Sequence, residues 1–365
     1  MNSNFFTQEG GNRTTSKQIV RRKGWTVGLI FFYVIIFGEL VLAFGQASFF
    51  EKSLHHTGAG MRNAYNEGLM KLTNIPYDKL EECNQCHVRS CDACHAYEKN
   101  DKFVYSTAKA KEMDTCLKCH GKEGMLFMMG RQMGNLDVHV AKGMICVDCH
   151  KDEDVHGDGN IYKSMREPGA VEASCESCHK EINTEIRAHT VHGEKLACNA
   201  CHLSQMVSCM NCHFDTFLRT WKREGNFFLN LGYSLLMNHN GKVTAGTAMS
   251  FVTNNQKFIV FSPQFTHSVQ KKGKACGDCH ANEAMKLIQQ GKSVPMMVSK
   301  DGKMETWKGV VPALPDRLQW AYFNKEGETW VPLSAQAQKL PETVQWWYGK
   351  PLTEEQVKRL TIPSK

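Results

Sequence analysis

Residues 189–202 read HTVHGEKLACNACH. The stretch ends in a Cys-x-x-Cys-His motif, and His189 and His192 stand nine and six residues before its first cysteine. Two thiols three positions apart can reach the two vinyl groups on one edge of a porphyrin, and the histidine that follows then lies under the iron. The motif therefore predicts covalent attachment of a c-type haem.

The same motif occurs eight times in the chain and uses all 16 cysteines. Zinc ribbons would pair the cysteines without requiring a histidine after every second one, and no cysteine remains for a disulfide. The sequence therefore predicts eight covalently bound haem c groups. The attachment cysteines are Cys83, Cys86, Cys91, Cys94, Cys116, Cys119, Cys146, Cys149, Cys175, Cys178, Cys198, Cys201, Cys209, Cys212, Cys276 and Cys279, and the predicted proximal iron ligands are His87, His95, His120, His150, His179, His202, His213 and His280.

Eight further histidines match the number of haems, which predicts an imidazole on both sides of every iron. These distal candidates are His55, His56, His139, His156, His189, His192, His239 and His267. Iron with six ligands has no open position, so such haems transfer electrons and bind no substrate. His239 flanks an Asn-Gly turn and has a solvent-exposed role as its alternative. If it is not a ligand, one haem is bound by Met or Lys or has an open side, where catalysis would occur.

The N-terminus predicts a membrane anchor. Five cations in residues 1–24 precede an apolar run of about 20 residues, which is long enough to cross a bilayer. We expect a cytoplasmic segment at 1–24, a transmembrane helix at 25–47 and a haem domain in the periplasm or outside the cell. A cleaved signal peptide ending near residue 47 is the alternative. Glu39, inside the run, would contact quinol or lie at the outer interface.

The expected fold is mainly α with much irregular structure, because short helices must wrap stacked haems in a domain at 48–292. Asn240-Gly241 lies between β-forming residues and predicts a small hairpin insertion. Residues 293–365 contain no cysteine or histidine but several tryptophans, which predicts an aromatic-rich C-terminal cap. A surface for docking a partner is the alternative reading of this segment.

The charge of the chain indicates haem binding rather than nucleic-acid binding. The net charge of +7 is offset by haem propionates, which contribute roughly −8 in eight oxidised haems. A basic stripe with interleaved aromatic residues is absent from the sequence, so no nucleic-acid partner is expected. Acidic residues surround His156, at Asp152, Glu153, Asp154 and Asp158. Their spacing favours a solvated loop, with calcium binding as the weaker alternative.

The eight motifs, their tight first pair and the stretches at 139–160 (HVAKGMICVDCHKDEDVHGDGN) and 189–202 resemble the octahaem cytochrome c group. That group includes hydroxylamine oxidoreductase and the octahaem nitrite and tetrathionate reductases. The resemblance implies a mostly α multihaem fold with closely packed haem pairs and a role in anaerobic respiration. The chain departs from the group because it is shorter and has no Cys-x-x-Cys-Lys motif.

Electron transfer is the predicted function. Electrons would come from the quinol pool or a membrane partner and pass to a periplasmic or extracellular acceptor. The alternative is a reductase or oxidase of nitrite, hydroxylamine or tetrathionate at one five-coordinate haem. A third reading is a structural haem-bearing subunit of a respiratory complex. Redox partner proteins are expected in each case, and a homo-oligomer is a further expectation.

Overall fold

The computed structural model describes residues 49–80, 88–204, 206–220, 228–253, 256–265, 267–301, 303–326, 329–333 and 343–361. Two parts of the molecule differ in secondary structure. The part up to residue 204, here called the motif region, consists of short helices and loops. The part from residue 206 onward, here called the sheet region, is built mainly from strands.

The helices of the motif region are short, and several coincide with the cysteine motifs. They are α1 (Leu54–Thr57), α2 (Ala59–Glu67), α3 (Met70–Thr73), α4 (Asp92–His95), α5 (Thr107–Ala110), α6 (Met113–Leu117), α7 (Gly121–Met133), α8 (Val138–Ala141), α9 (Cys146–Cys149), α10 (Asp152–His156), α11 (Cys175–Cys178), α12 (Arg187–His192) and α13 (Cys198–His202). A single hairpin, β1 (Ala96–Lys99) with β2 (Lys102–Tyr105), interrupts them. The longest helix, α7, ends at Gly134, whose φ of 70° lies in the left-handed region that glycine adopts without strain.

The sheet region contains the other described strands and four helices. They are β3 (Val207–Met210), β4 (Cys212–His213), α14 (Phe214–Thr220), β5 (Phe228–Leu231), β6 (Tyr233–His239), β7 (Lys242–Thr253), β8 (Gln256–Pro263), α15 (Cys276–His280), α16 (Glu283–Gln289), β9 (Val294–Lys300), β10 (Lys303–Thr306), β11 (Gly309–Pro312), β12 (Leu318–Trp320), β13 (Phe323–Glu326), β14 (Thr329–Pro332), β15 (Thr343–Trp346) and α17 (Glu354–Leu360).

A mixed sheet of six strands organises this region. Its order is β11-β6-β7-β8-β15, and β4 pairs with β7 beyond the end of β6. The β6–β7–β8 meander is antiparallel, whereas β11, β15 and β4 run parallel to the strands they pair with. Asn240 and Gly241 connect β6 to β7 with φ values of 50° and 83°, as a two-residue hairpin turn with both residues at positive φ requires. Smaller sheets join β10-β9-β12, β13-β14 and β3-β5.

The main hydrophobic core lies in the sheet region and joins the meander to the segments after it. Phe261 of β8 packs against Trp320, which is fully buried, and stacks on Trp346 at 4.4 Å between ring centres. Helices α2 and α3 cover another part of the sheet through Tyr65 and Leu72. Gly68 between these helices is required by the close approach, because a Cβ there would lie 2.8 Å from Phe258.

The chain after β8 joins the two regions. Asn199 and Arg166 of the motif region donate side-chain hydrogen bonds to backbone carbonyls of 263–264, at 3.0 and 3.2 Å. Val138 donates its backbone N–H to the carbonyl of Val269 at 2.9 Å. Burial lowers the pKa of the Arg166 guanidinium to about 10. The motif region is therefore bonded to the segment after β8, and further hydrogen bonds join it to β7 and to Tyr348.

The predicted mainly α fold is wrong. The hairpin expected at Asn240-Gly241 is present, but it is the centre of a six-stranded sheet rather than a small insertion. The β-forming residues of 242–261 are buried on both faces of the sheet, which needs further strands and a second layer around them. The expectation that short helices wrap stacked haems across 48–292 therefore does not describe the sheet region.

The predicted single-pass membrane topology also needs correction. Among the described residues, which begin at position 49, no helix has both the length and the apolar character needed to cross a membrane. The predicted span at 25–47 and the predicted cytoplasmic segment at 1–24 lie outside the described residues. The finding contradicts the predicted inner-membrane location.

Candidate haem-binding sites

Six of the cysteine motifs share one backbone geometry, a single helical turn. They are Cys91–His95, Cys116–His120, Cys146–His150, Cys175–His179, Cys198–His202 and Cys276–His280. In four of them the histidine N–H donates to the carbonyl of the first cysteine, at 2.8–3.0 Å. Residues three apart in a helix lie on the same face. This turn therefore puts both thiols of a motif on one side, as attachment to one porphyrin edge requires.

Each of these six motif histidines faces a second histidine from elsewhere in the chain. The pairs, with the distances between ring centres, are His95 and His156 (6.2 Å), His120 and His55 (6.1 Å), His150 and His267 (6.2 Å), His179 and His139 (6.2 Å), His202 and His189 (6.2 Å), and His280 and His192 (6.0 Å). Every second member belongs to the histidines predicted as distal ligands.

The ring separations fit a metal ion between the two imidazoles. A bond from metal to imidazole nitrogen is about 2 Å long, so two rings on opposite sides of one metal have centres about 6 Å apart. Rings in van der Waals stacking would be closer, and rings packed by chance would show a wider range of distances. The donor set and its spacing therefore fit bis-histidine iron at six sites.

Hydrogen bonds orient several of these rings through Nδ1. His189, His192 and His202 each donate from Nδ1 to a backbone carbonyl at 2.8–2.9 Å. A ring that donates from Nδ1 carries its lone pair on Nε2, the nitrogen then available to a metal. Burial lowers the pKa of His55 and His267, which favours the neutral ring that metal ligation needs.

Two aspartates do the same for other rings, and the sequence reasoning missed this role. The carboxylate of Asp137 accepts from Nδ1 of His139 at 3.2 Å and from the backbone N–H of Val269 at 2.7 Å. Asp154 accepts from Nδ1 of His150 at 3.0 Å. The spacing from His150 to Asp154, one helical turn, was the available indication.

The acidic loop around His156 is tied up in internal hydrogen bonds. Besides His150, Asp154 accepts the backbone N–H of Glu172, and Asp158 accepts from Asn160 and Tyr162 at 2.8–2.9 Å. Among the described residues, the ligand atoms that gather closely enough for a metal ion belong to Cys175, Glu176 and Cys198, which lie in the cysteine motifs. Calcium binding stays a prediction without structural support.

The thiols of successive motifs are neighbours, in the order in which the motifs occur along the chain. The Cys116 thiol hydrogen-bonds that of Cys146, and the Cys175 thiol hydrogen-bonds that of Cys198. Burial raises the pKa of three other thiols, and a thiol of the adjacent site raises it further. These neighbours are Cys94 with Cys116, Cys149 with Cys178, and Cys279 with Cys201. Each site thus adjoins the next, from Cys91–His95 to Cys276–His280.

Apolar side chains lie exposed around these sites. Apart from Phe265, the large hydrophobic residues that are exposed within the described chain all fall between positions 49 and 191. They include Met128 and Met133 of α7 and also Ile182 and Ile186. A porphyrin presents apolar faces, which exposed apolar side chains of this part of the chain could contact.

The motif Cys209–His213 differs from the other six. It runs through β3 and β4, and His213 is nearly buried, with its Nε2 2.8 Å from the backbone carbonyl of Phe323. No other histidine ring lies opposite it among the described residues. This motif does not fit the bis-histidine arrangement of the other sites.

The two remaining distal candidates have other neighbours. His239 donates from Nδ1 to the carbonyl of Tyr348 at 2.6 Å, and its ring contacts Phe265. The ring of His56 lies 5.2 Å from that of Phe50. The first motif, Cys83–His87, lies outside the described residues, so haem attachment there stays a prediction.

Comparisons with known proteins give one distant structural similarity. Neither the protein-family models nor the curated proteins include a match. An octaheme cytochrome c from Shewanella oneidensis aligns with a TM-score of 0.35 and 15% identity, over 53% of this chain and 72% of that one. A similarity this low says nothing about the function of this chain.

Proposed function

We propose that this protein is a multihaem c-type cytochrome that transfers electrons between redox partner proteins. The observation that carries the proposal is the set of six imidazole pairs, each joining a motif histidine to a distant one at 6.0–6.2 Å. Six pairs of rings from separate chain segments share one spacing, which is expected if each pair holds the same group.

The bound haem iron would supply one-electron redox chemistry. The residues of the chain would do the rest. The cysteines would fix each group, the two imidazoles would occupy both axial positions, and the acidic and carbonyl acceptors would hold the rings. A site filled from both sides has no place for a small substrate, which favours electron transfer over catalysis at these six positions.

The neighbouring positions of the sites add a second reason. Thiols of successive motifs lie close enough to shift one another's pKa, from Cys94 to Cys279, and an electron carrier needs sites that are neighbours. A catalytic protein needs one distinctive site instead. The quinol donor expected from the sequence depended on the membrane span and is not part of the proposal.

Electron paramagnetic resonance of the oxidised holoprotein tests the proposal. We expect only low-spin ferric signals from these sites. In the variant His267→Ala, one haem should lose an axial ligand and give a high-spin signal equal to one haem per chain. The matched control is His239→Ala, since His239 faces no motif histidine among the described residues and its removal should leave the spectrum unchanged.

Two results would contradict the proposal. One is an unchanged low-spin spectrum in His267→Ala, which would mean that His150 and His267 do not share an iron. The other is a high-spin signal in the unaltered protein that responds to nitrite or hydroxylamine. That response would favour the reductase or oxidase alternative.

A further inference from the structure

We infer that the Cys209–His213 motif carries no haem in the folded protein, so that the chain holds one haem fewer than its eight motifs. The inference concerns a site that the proposed function does not use. It rests on the backbone of the motif, on the contacts of His213 and on the distance from His213 to His239.

The backbone of this motif differs from the helical turn that puts both thiols of each other motif on one face. Cys209 lies in β3 and Cys212 lies in β4, and Asn211 at positive φ separates the two strands. Because β3 pairs with β5 and β4 pairs with β7, the two cysteines belong to different sheets. Cys212 packs against the cluster that contains Phe214 and Phe251. The two thiols are therefore held by two different sheets and are not presented together by one turn.

The residues between the thiols are held as part of the sheet region. Asn211 has a φ of 56° and bonds Phe323 in both directions, donating from Nδ2 to its carbonyl and accepting its N–H at Oδ1, at 2.8 and 2.9 Å. Its own backbone N–H donates to Ser250 at 2.7 Å. Cys212 and His213 pair with Phe251 and Val252 of β7. Turning this segment into a helical turn would break all of these bonds.

His213 itself has another partner. Its Nε2 donates to the same Phe323 carbonyl at 2.8 Å, so this nitrogen carries the proton rather than a lone pair for iron. The side chain is only 8% exposed, which leaves no space beside it for a large planar ligand. His213 therefore acts as a buried link between β4 and β13.

His239, the unassigned histidine of the sheet, cannot reach this position. His239 pairs with Lys242 and His213 pairs with Val252, which lies ten residues further along β7. Ten residues of strand span about 33 Å, far more than the separation of two ligands of one iron. A haem attached here could therefore not take His239 as its second imidazole.

Peptide mapping of the full-length holoprotein by mass spectrometry tests the inference. We expect the peptide that contains Cys209 and Cys212 to carry no haem and the peptide with Cys198 and Cys201 to carry one. The double variant C209A/C212A should keep the haem count of the parent protein, whereas the matched double variant C198A/C201A should lose one haem.

The variant His213→Ala adds a readout that depends on the proposed link. Its visible spectrum and haem count should equal those of the parent, while its melting temperature falls because the Phe323 carbonyl loses a buried partner. Haem on the Cys209 peptide would overturn the inference while leaving the six paired sites, and so the proposed function, intact. If that haem were also high-spin and responsive to nitrite, it would be the five-coordinate centre of the catalytic alternative.

Discussion

The motif region and the sheet region are held together in different ways, although both contain Cys-x-x-Cys-His motifs. In the motif region, helices of mostly four to six residues position paired imidazoles, and large apolar side chains lie exposed. In the sheet region, apolar side chains such as Phe261 and Trp320 are fully buried in a core of their own.

This contrast shows that a motif takes its role from its surroundings. Six motifs, five in the motif region and Cys276–His280 in the sheet region, form a helical turn, and a histidine from elsewhere in the chain faces each one. At Cys209–His213, where strands and aromatic residues supply a core, the same five-residue pattern becomes part of a sheet. Four predictions test this comparison, and the one with the greatest expected effect comes first.

The largest effect should follow from preventing haem attachment altogether. Residues 88–204 should then lose their protection against hydrogen exchange, since haem ligation is part of the folding free energy of such sites. Strands β6–β8 should keep slow exchange because their core is made of protein side chains. Exchange mass spectrometry of protein made without haem maturation measures this, and equal loss in both regions would refute the contrast.

A cavity in the sheet core should affect stability but not haem content. Trp320→Ala should lower the free energy of unfolding by about 3–5 kcal/mol, the usual cost of removing a large buried side chain. Denaturant titration would measure the loss, and the pyridine haemochrome assay should give an unchanged haem count. Glu305→Ala, at an exposed position of β10, is the control and should change stability by less than about 0.5 kcal/mol. A changed haem count in Trp320→Ala would mean that the two regions depend on one core.

Replacing a carboxylate that orients a ring should shift one haem potential. In Asp137→Asn, His139 loses a negatively charged acceptor that makes its ring more basic and favours oxidised iron. The midpoint potential of one haem should therefore rise, by on the order of 60 mV if the change in binding is tenfold. Redox titration would show the rise. The control is Asp148→Asn, because the Asp148 side chain accepts from the backbone N–H of Ile145 and bonds no histidine ring among the described residues, so the potential should shift far less.

The smallest effect should appear at the contact between the regions. Burial, together with the hydrogen bond to Glu167 at 3.0 Å, raises the pKa of Tyr348 to about 12. The folded state therefore holds the phenolic proton when the unfolded state, with a pKa of about 10, has lost it. The stability that Tyr348 provides is fully present below pH 10 and is lost as the pH rises towards 12.

The variant Tyr348→Phe should remove this pH dependence. Unfolding experiments between pH 9 and 12 should show a shallower decline for the variant than for the parent protein, with little difference in slope below pH 9. A decline of equal steepness in both would mean that other groups account for the loss of stability in this range.

The sequence predicted the chemistry of the sites better than the fold. A motif histidine is recognisable because covalent attachment needs two cysteines and a histidine at one local spacing, and local spacing is readable along the chain. The turn at Asn240-Gly241 was readable for the same reason. The sheet around it was not, because β11 and β15 pair with strands more than 70 residues away.

The number of motifs, the matching number of further histidines and the turn between β6 and β7 can all be read from the sequence. Which histidine faces which motif depends on tertiary packing, since His267 and His55 approach from distant segments. It also decided that Cys209–His213 belongs to a sheet. The physical reason is that five residues adopt whichever backbone buries their neighbours best, and those neighbours come from parts of the chain that the motif cannot specify.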